Sequence, residues 1–141
     1  MIRTIAFCLL LALTAIACEE DFATPTSVTP IPADPTVTET FRGTLAVGGA
    51  RFYSFSVSVY GTVNLTLTDV NGSTEATDVL LGLALGVPRG TDCISLSAAT
   101  TSAGSSPQVS NAVNAGVYCA RIYDTGTLAE PAGFVVTIAH P

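Results

Sequence analysis

From Glu39 onward the chain alternates apolar and polar residues with period two, the pattern of half-buried strands. In the stretch 51–60 (RFYSFSVSVY), Tyr53, Phe55, Val57 and Val59 fall on one side and Ser54, Ser56 and Ser58 on the other. Gly61 turns the chain. The stretch 62–70 then places Val63, Leu65 and Leu67 inward with Asn64, Thr66 and Thr68 outward. Together the two stretches predict an antiparallel hairpin with one wet face. Asn71-Gly72 is a turn dipeptide.

The stretch 79–87 (VLLGLALGV) differs. Val79, Leu81, Leu83, Leu85 and Val87 share one face, while Leu80, Gly82, Ala84 and Gly86 share the other. The small residues predict a strand with something packed closely over it. Two glycines in so short a run weaken a helix there. After the break at Pro88-Arg89-Gly90, CISLSA predicts a short strand holding Cys93, and 99–108 reads as a polar, mobile loop. Gln108 to Ala112 predicts an edge strand. In GVYCARIYD, Tyr118, Ala120 and Ile122 take the core side, and Cys119, Arg121 and Tyr123 the other. A long hairpin connection leads to a closing strand with Phe134, Val136 and Ile138 inward. The sum is seven or eight short strands and no helix: an antiparallel β-sandwich of jelly-roll or immunoglobulin-like type.

The chain ahead of this domain has another character. Arg3, an apolar run from Ile5 to Leu13, and the small or apolar residues Ala15, Ile16 and Ala17 predict a signal peptide over 1–17. The apolar run is too short to span a bilayer. Cys18 directly after it resembles the lipobox of bacterial lipoproteins, with Ala15 where that family prefers Leu. The resemblance implies a diacylglyceryl group on the Cys18 thiol and anchoring to a membrane. The alternative is ordinary cleavage after Ala17 and a secreted protein. Residues 18–38 carry Pro25, Pro30, Pro32 and Pro35 among Thr, Ser and Ala, the composition of an extended tether. The domain occupies 39–141.

Composition narrows the partners. The chain has 11 acidic residues, 5 arginines, no lysine and a net charge of −6. That disfavours nucleic acid and anionic membrane surfaces, which need clustered cations. Cys8 falls in the signal peptide and Cys18 is the lipidation candidate, which leaves Cys93 and Cys119 as an even pair. In an oxidising compartment a disulfide is the default. The loop it closes, roughly 26 residues, corresponds to about 3 kcal/mol in the chain-entropy treatment. The alternative is two free buried thiols.

Three groups of residues resemble the bacterial pre-peptidase C-terminal domain. The first is Phe41 with Gly43 to Leu45, followed by Tyr53, Phe55 and Gly61 to Val63. The second is Gly116, Tyr118, Ile122 and Tyr123, and the third is the closing stretch GFVVTIAHP. The middle departs: Thr77-Asp78-Val79-Leu80-Leu81 stands where that family has an Asp-x-Asp-Leu strand, and the cysteine pair is not general to it. The resemblance implies a compact, non-catalytic jelly-roll accessory domain linked with secretion or substrate contact.

The inventory for catalysis is thin. His140 is the only histidine, and a nucleophilic triad needs a base held in a shaped site. No pair of carboxylates is marked out for glycoside hydrolysis. No cofactor is expected. Calcium is the one weak metal candidate, with Asp69, Asn71, Glu75 and Asp78 as oxygen donors in one loop. Phe52, Tyr60 and Tyr123 are the candidate ligand-contact aromatics, since parity puts them off the core face. The expected function is therefore contact rather than chemistry: a lipid-anchored envelope protein that meets another envelope protein or a polysaccharide, with a carbohydrate-binding module as the alternative.

Overall fold

The computed structural model describes residues 36–71 and 79–141. The Pro32–Pro141 unit is a two-layer sandwich of eight strands, with no helix among its described residues. The strands are β1 (Val37–Leu45), β2 (Ala50–Val57), β3 (Gly61–Asn71), β4 (Leu81–Arg89), β5 (Asp92–Thr101), β6 (Val109–Val113), β7 (Gly116–Asp124) and β8 (Ala132–His140). One sheet has the order β1-β8-β3-β6 and the other β2-β7-β4-β5, with every pairing antiparallel. Successive strands alternate between sheets except at β4–β5, which is the jelly-roll winding.

The core forms where the inward sets of the two sheets meet. Leu45, Val63, Leu65, Leu67, Val136 and Ile138 of the first sheet face Phe55, Leu81, Leu83, Leu85 and Ile122 of the second, all buried. Each such side chain taken fully from water contributes about 1.5–3 kcal/mol. For all of these but Leu45, which the alternation left unassigned, the parity read from the sequence holds. It fails at Val59, because β2 ends at Val57 and the chain has left the sheet, and at Val87, which follows the register shift between Leu85 and Gly86; both are exposed.

The expected hairpin between 51–60 and 62–70 is not formed. β2 pairs with β7, while β3 pairs with β6 and β8 in the opposite sheet. Ser58, Val59 and Tyr60 carry the chain across the edge of the sandwich instead. The 125–131 segment is likewise a crossing between β7 and β8 of different sheets. The true hairpin is β4–β5, turned by Gly90 at φ 61°. β1 begins at Val37, two residues before the expected start of the domain.

The expected loop over 99–108 is also shorter and more tied down than the composition implies. Ala99 to Thr101 complete β5. Gly104 N–H donates to Leu67 O at 2.9 Å and Gln108 N–H to Leu65 O at 3.0 Å. The Gln108 side chain then accepts from Leu67 N–H at 2.7 Å. A glutamine side chain thus continues the β6 ladder along β3 where the backbone has turned away.

The close packing expected over Gly82 and Gly86 is present. The Tyr123 ring lies against Gly82, occupying the place of a Cβ. Gly86 is covered by the Ile94 carbonyl oxygen and by Cys93 Sγ. Cys93 and Cys119 form the disulfide, with Cα atoms 6.1 Å apart, fixing edge strand β5 to β7 across β4. Reduction, or the double change Cys93→Ala/Cys119→Ala, should lower the unfolding free energy by about 3 kcal/mol. Gly86→Ala should cost about 1–3 kcal/mol, because backbone and disulfide must both shift to admit the methyl group. Chemical denaturation of the three proteins checks both values.

Candidate functional site

Two regions collect the side chains able to recognise or transform a ligand. The first lies between the sheets where edge strands β1 and β2 face each other. Glu39 is in phase with Phe41 and Leu45 on β1, and His140 with Ile138, Val136 and Phe134 on β8, so both point inward. His140 is only 3% exposed. Its Nε2 lies 3.0 Å from Glu39 Oε1, and its Nδ1 lies 3.0 Å from the Pro141 carbonyl oxygen. Tyr53 Oη, from the opposite sheet, donates to Glu39 Oε2. Rings enclose the group: Phe55 sits 5.1 Å from the imidazole, Phe41 stacks on Tyr53 at 5.7 Å, and Phe41 meets Phe134 edge-on at 5.0 Å.

This arrangement is closed on itself. Both imidazole nitrogens and both Glu39 oxygens have partners within the fold. The Tyr53 hydrogen bond is the main cause holding the Glu39 carboxyl below its ordinary value; burial opposes it, and the hydrogen bond and charge of His140 add to it. The same Glu39 bond, then the Glu39 charge, pushes Tyr53 above the ordinary tyrosine value. His140, at the end of β8, bonds Glu39 of edge strand β1, and Glu39 in turn accepts from Tyr53 of edge strand β2, so Glu39 ties the two edge strands of the open side together.

Against this group lies a surface cavity of about 410 Å³. His140 and Pro141 form one side, Thr36, Thr62 and Asn64 another, and Val59 with Tyr60 the rim. Tyr60 is 71% exposed, the most exposed large hydrophobic side chain among the described residues. It is placed there by the β2–β3 crossing, which no strand parity governs.

The second region is the outer face of β2-β7-β4-β5. Phe52, Arg51, Arg121 and Asp92 line a cavity of about 260 Å³ with Ala50 and Thr91. Arg121 lies 5.2 Å from the centre of the Tyr123 ring, a cation–π contact of about 0.5–1 kcal/mol at an exposed site. Tyr123 is held between Arg121 and Gly82, so it serves the sheet. The three aromatics expected to meet a ligand therefore do not form one platform. Phe52 and Tyr123 share this face, and Tyr60 stands at the crossing of the other sheet.

Of the calcium candidates, Asp69 and Asn71 are at the end of β3, where Asn71 Nδ2 donates to Asp69 Oδ2 at 3.0 Å. Glu75 and Asp78 lie outside the described residues, as does Cys18. Among the described residues no group of three or more His, Cys, Asp or Glu converges as a metal site. Asp124, at the end of β7, organises the β7–β8 crossing. Its carboxylate accepts from Gly48 N–H and Gly126 N–H at 2.8 Å, Thr127 N–H at 3.0 Å and Leu128 N–H at 3.2 Å. The Gly48 bond is the largest cause of a carboxyl value below the ordinary range.

No family model matches the chain, and no curated protein matches it. Among solved structures, the Aeromonas hydrophila protein PliG, a periplasmic lysozyme inhibitor of g-type lysozyme, matches with a TM-score of 0.48 and 13% identity. The match covers 72% of this chain and 84% of that one.

The pH dependence of stability follows from the shifted groups. Glu39 and Asp124 have lowered folded-state values, so their contributions are complete above the ordinary carboxylate range and are lost as pH falls through the folded values. Tyr53 has a raised value, so its contribution is complete below the ordinary tyrosine value near 10.0 and is lost as pH rises through the folded value. Thermal melts across pH should show Tyr53→Phe removing the alkaline arm and shallowing the acid arm, and Asp124→Asn shallowing only the acid arm.

Proposed function

We propose that this chain is a non-enzymatic contact protein of the bacterial cell envelope, held there by lipid on Cys18 and presenting a pre-peptidase C-terminal-like jelly roll. One observation carries the contact reading: the only histidine and its carboxylate partner are consumed in an internal network that joins two strands of one sheet to the other sheet. Their donors and acceptors hold the fold and are not free to act on a substrate. The disulfide supports an oxidising location. The run from Arg3 to Cys18 supports export and anchoring.

A carbohydrate-binding module is the second reading, favoured by Tyr60 standing exposed beside a cavity bordered by threonine and asparagine side chains. Its bulk and its polar tip suit the face of a sugar ring and its hydroxyls.

The chain has no lysine, so amine-reactive crosslinkers find no side chain on it. A photoreactive phenylalanine analogue substituted in turn for Val47, Tyr60, Leu96 and Val117, all exposed, samples the surface in intact cells. Adducts from one or two of these positions are expected, discrete in mass for a protein partner and a smear for a polysaccharide. Their absence from all four would contradict the contact reading.

A further inference from the structure

The outer face of β1-β8-β3-β6 has a composition of its own. Alternation turns Thr38 and Thr40 of β1, Thr137 and Ala139 of β8, Asn64 and Thr66 of β3, and Ser110 of β6 to this side. The register sets them in rows. Thr38, Ala139, Asn64 and Ser110 lie side by side across the four strands. Thr40, Thr137 and Thr66 form the next row, in which Thr66 is buried and Thr40 and Thr137 offer the accessible hydroxyls. Neighbouring positions on this face are thus roughly 4.8 Å apart across strands and roughly 6.8 Å along them. Beyond the first row, toward the crossing, lie Thr36, Thr62, Pro141 and the Tyr60 cavity.

Three properties of this surface converge on one ligand chemistry. Among the described residues, no charged side chain falls in either row; the first charges, Arg42 and Asp69, come past the second row, at the far end from Tyr60. Asn64 Oδ1 accepts from Ser110 Oγ at 2.6 Å, leaving its two N–H donors without a partner among the described residues. Tyr60 projects at the open end, where the cavity continues the face. An uncharged lattice of donors and acceptors ending in an exposed aromatic ring matches a chain of neutral sugars: hydroxyls paired along the rows, one ring stacked at the end. The net charge of −6 works against anionic polymers.

We propose that this face, from the Tyr60 cavity across the Asn64 and Thr137 rows, binds a neutral polysaccharide. The proposal rests on the contact reading and names its partner. It also separates the two cavities: the one at Phe52 and Arg121, flanked by charge, takes no part.

The test is affinity electrophoresis of the detergent-solubilised full-length protein in native gels containing dextran, mannan or hydroxyethylcellulose, with alginate as the anionic comparison. Retardation in at least one neutral gel is expected, and none in alginate. Tyr60→Ala should weaken it about tenfold, the size of one lost stacking contact. Thr137→Asp, which puts a charge in the second row, should abolish it, and Phe52→Ala should leave it unchanged. Near-native melting temperatures for all three variants would assign the losses to the surface. Retardation that depends on Phe52, or that appears only in alginate, would overturn the proposal. So would no retardation in any neutral gel. Concentration-dependent self-association abolished by Thr137→Asp would overturn it in favour of a second copy of the chain. Blank gels together with crosslinks from Tyr60 to a protein would sink the glycan proposal alone; blank gels without crosslinks would sink the contact reading as well.

Discussion

The face-to-face burial of two period-two apolar sets is the constraint on which the rest of the molecule depends. Val63, Leu65 and Leu67 on β3 meet Leu81, Leu83 and Leu85 on β4, each fully buried. Once these sets are committed inward, every alternate residue is committed outward. The two outer faces then carry whatever the inward set does not need. One becomes glycine, alanine, a disulfide and the Arg121–Tyr123 pair. The other becomes threonine, asparagine and serine. A single-residue slip in any strand would exchange the two sets, so the core fixes the register and the register fixes the surface.

Jelly-roll winding leaves open sides where edge strands face one another across the sandwich. At the β1–β2 side the apolar sets run out, and a different solution takes over. Glu39 and His140 sit at inward parity, and Tyr53 reaches them from the other sheet. An unpaired carboxylate or imidazole in that position would be costly, whereas a closed network of mutual partners is tolerated. The rings of Phe55 and Phe41 pack against His140 and Tyr53, leaving the imidazole buried and the Tyr53 side of the network exposed. The same logic of local satisfaction appears at Asp124, which gathers four backbone N–H groups from two connections, and at Gln108, which substitutes for a strand.

Much of this was legible in the sequence, and the failures have physical causes. Alternation gave the strands, the core faces and the close cover over Gly82 and Gly86, because side-chain parity is a local property. It could not give strand partners. Residues 51–60 and 62–70 look like a hairpin, yet Ser58 to Tyr60 cross between sheets, since a short connection permits either route. The Glu39–His140 contact joins residues 101 apart in the chain. Its signal was present in the parity: Glu39 is in step with Phe41, and His140 with Ile138. An ionisable residue in phase with a core face calls for a partner, and the only histidine was the natural one. The three aromatics were correctly placed off the core, but parity alone does not tell that Phe52 and Tyr123 share one sheet while Tyr60 belongs to a crossing.

The proposed role joins this domain to a membrane through its first mature residue, so the covalent state of the native protein is the most direct test. The measurement is the intact mass of the protein from the membrane fraction, with and without reduction. A chain beginning at Cys18 with an added diacylglyceryl group, and a gain of two hydrogens on reduction, is the predicted result. An unlipidated chain recovered from the culture medium would contradict anchoring and turn the search toward soluble ligands.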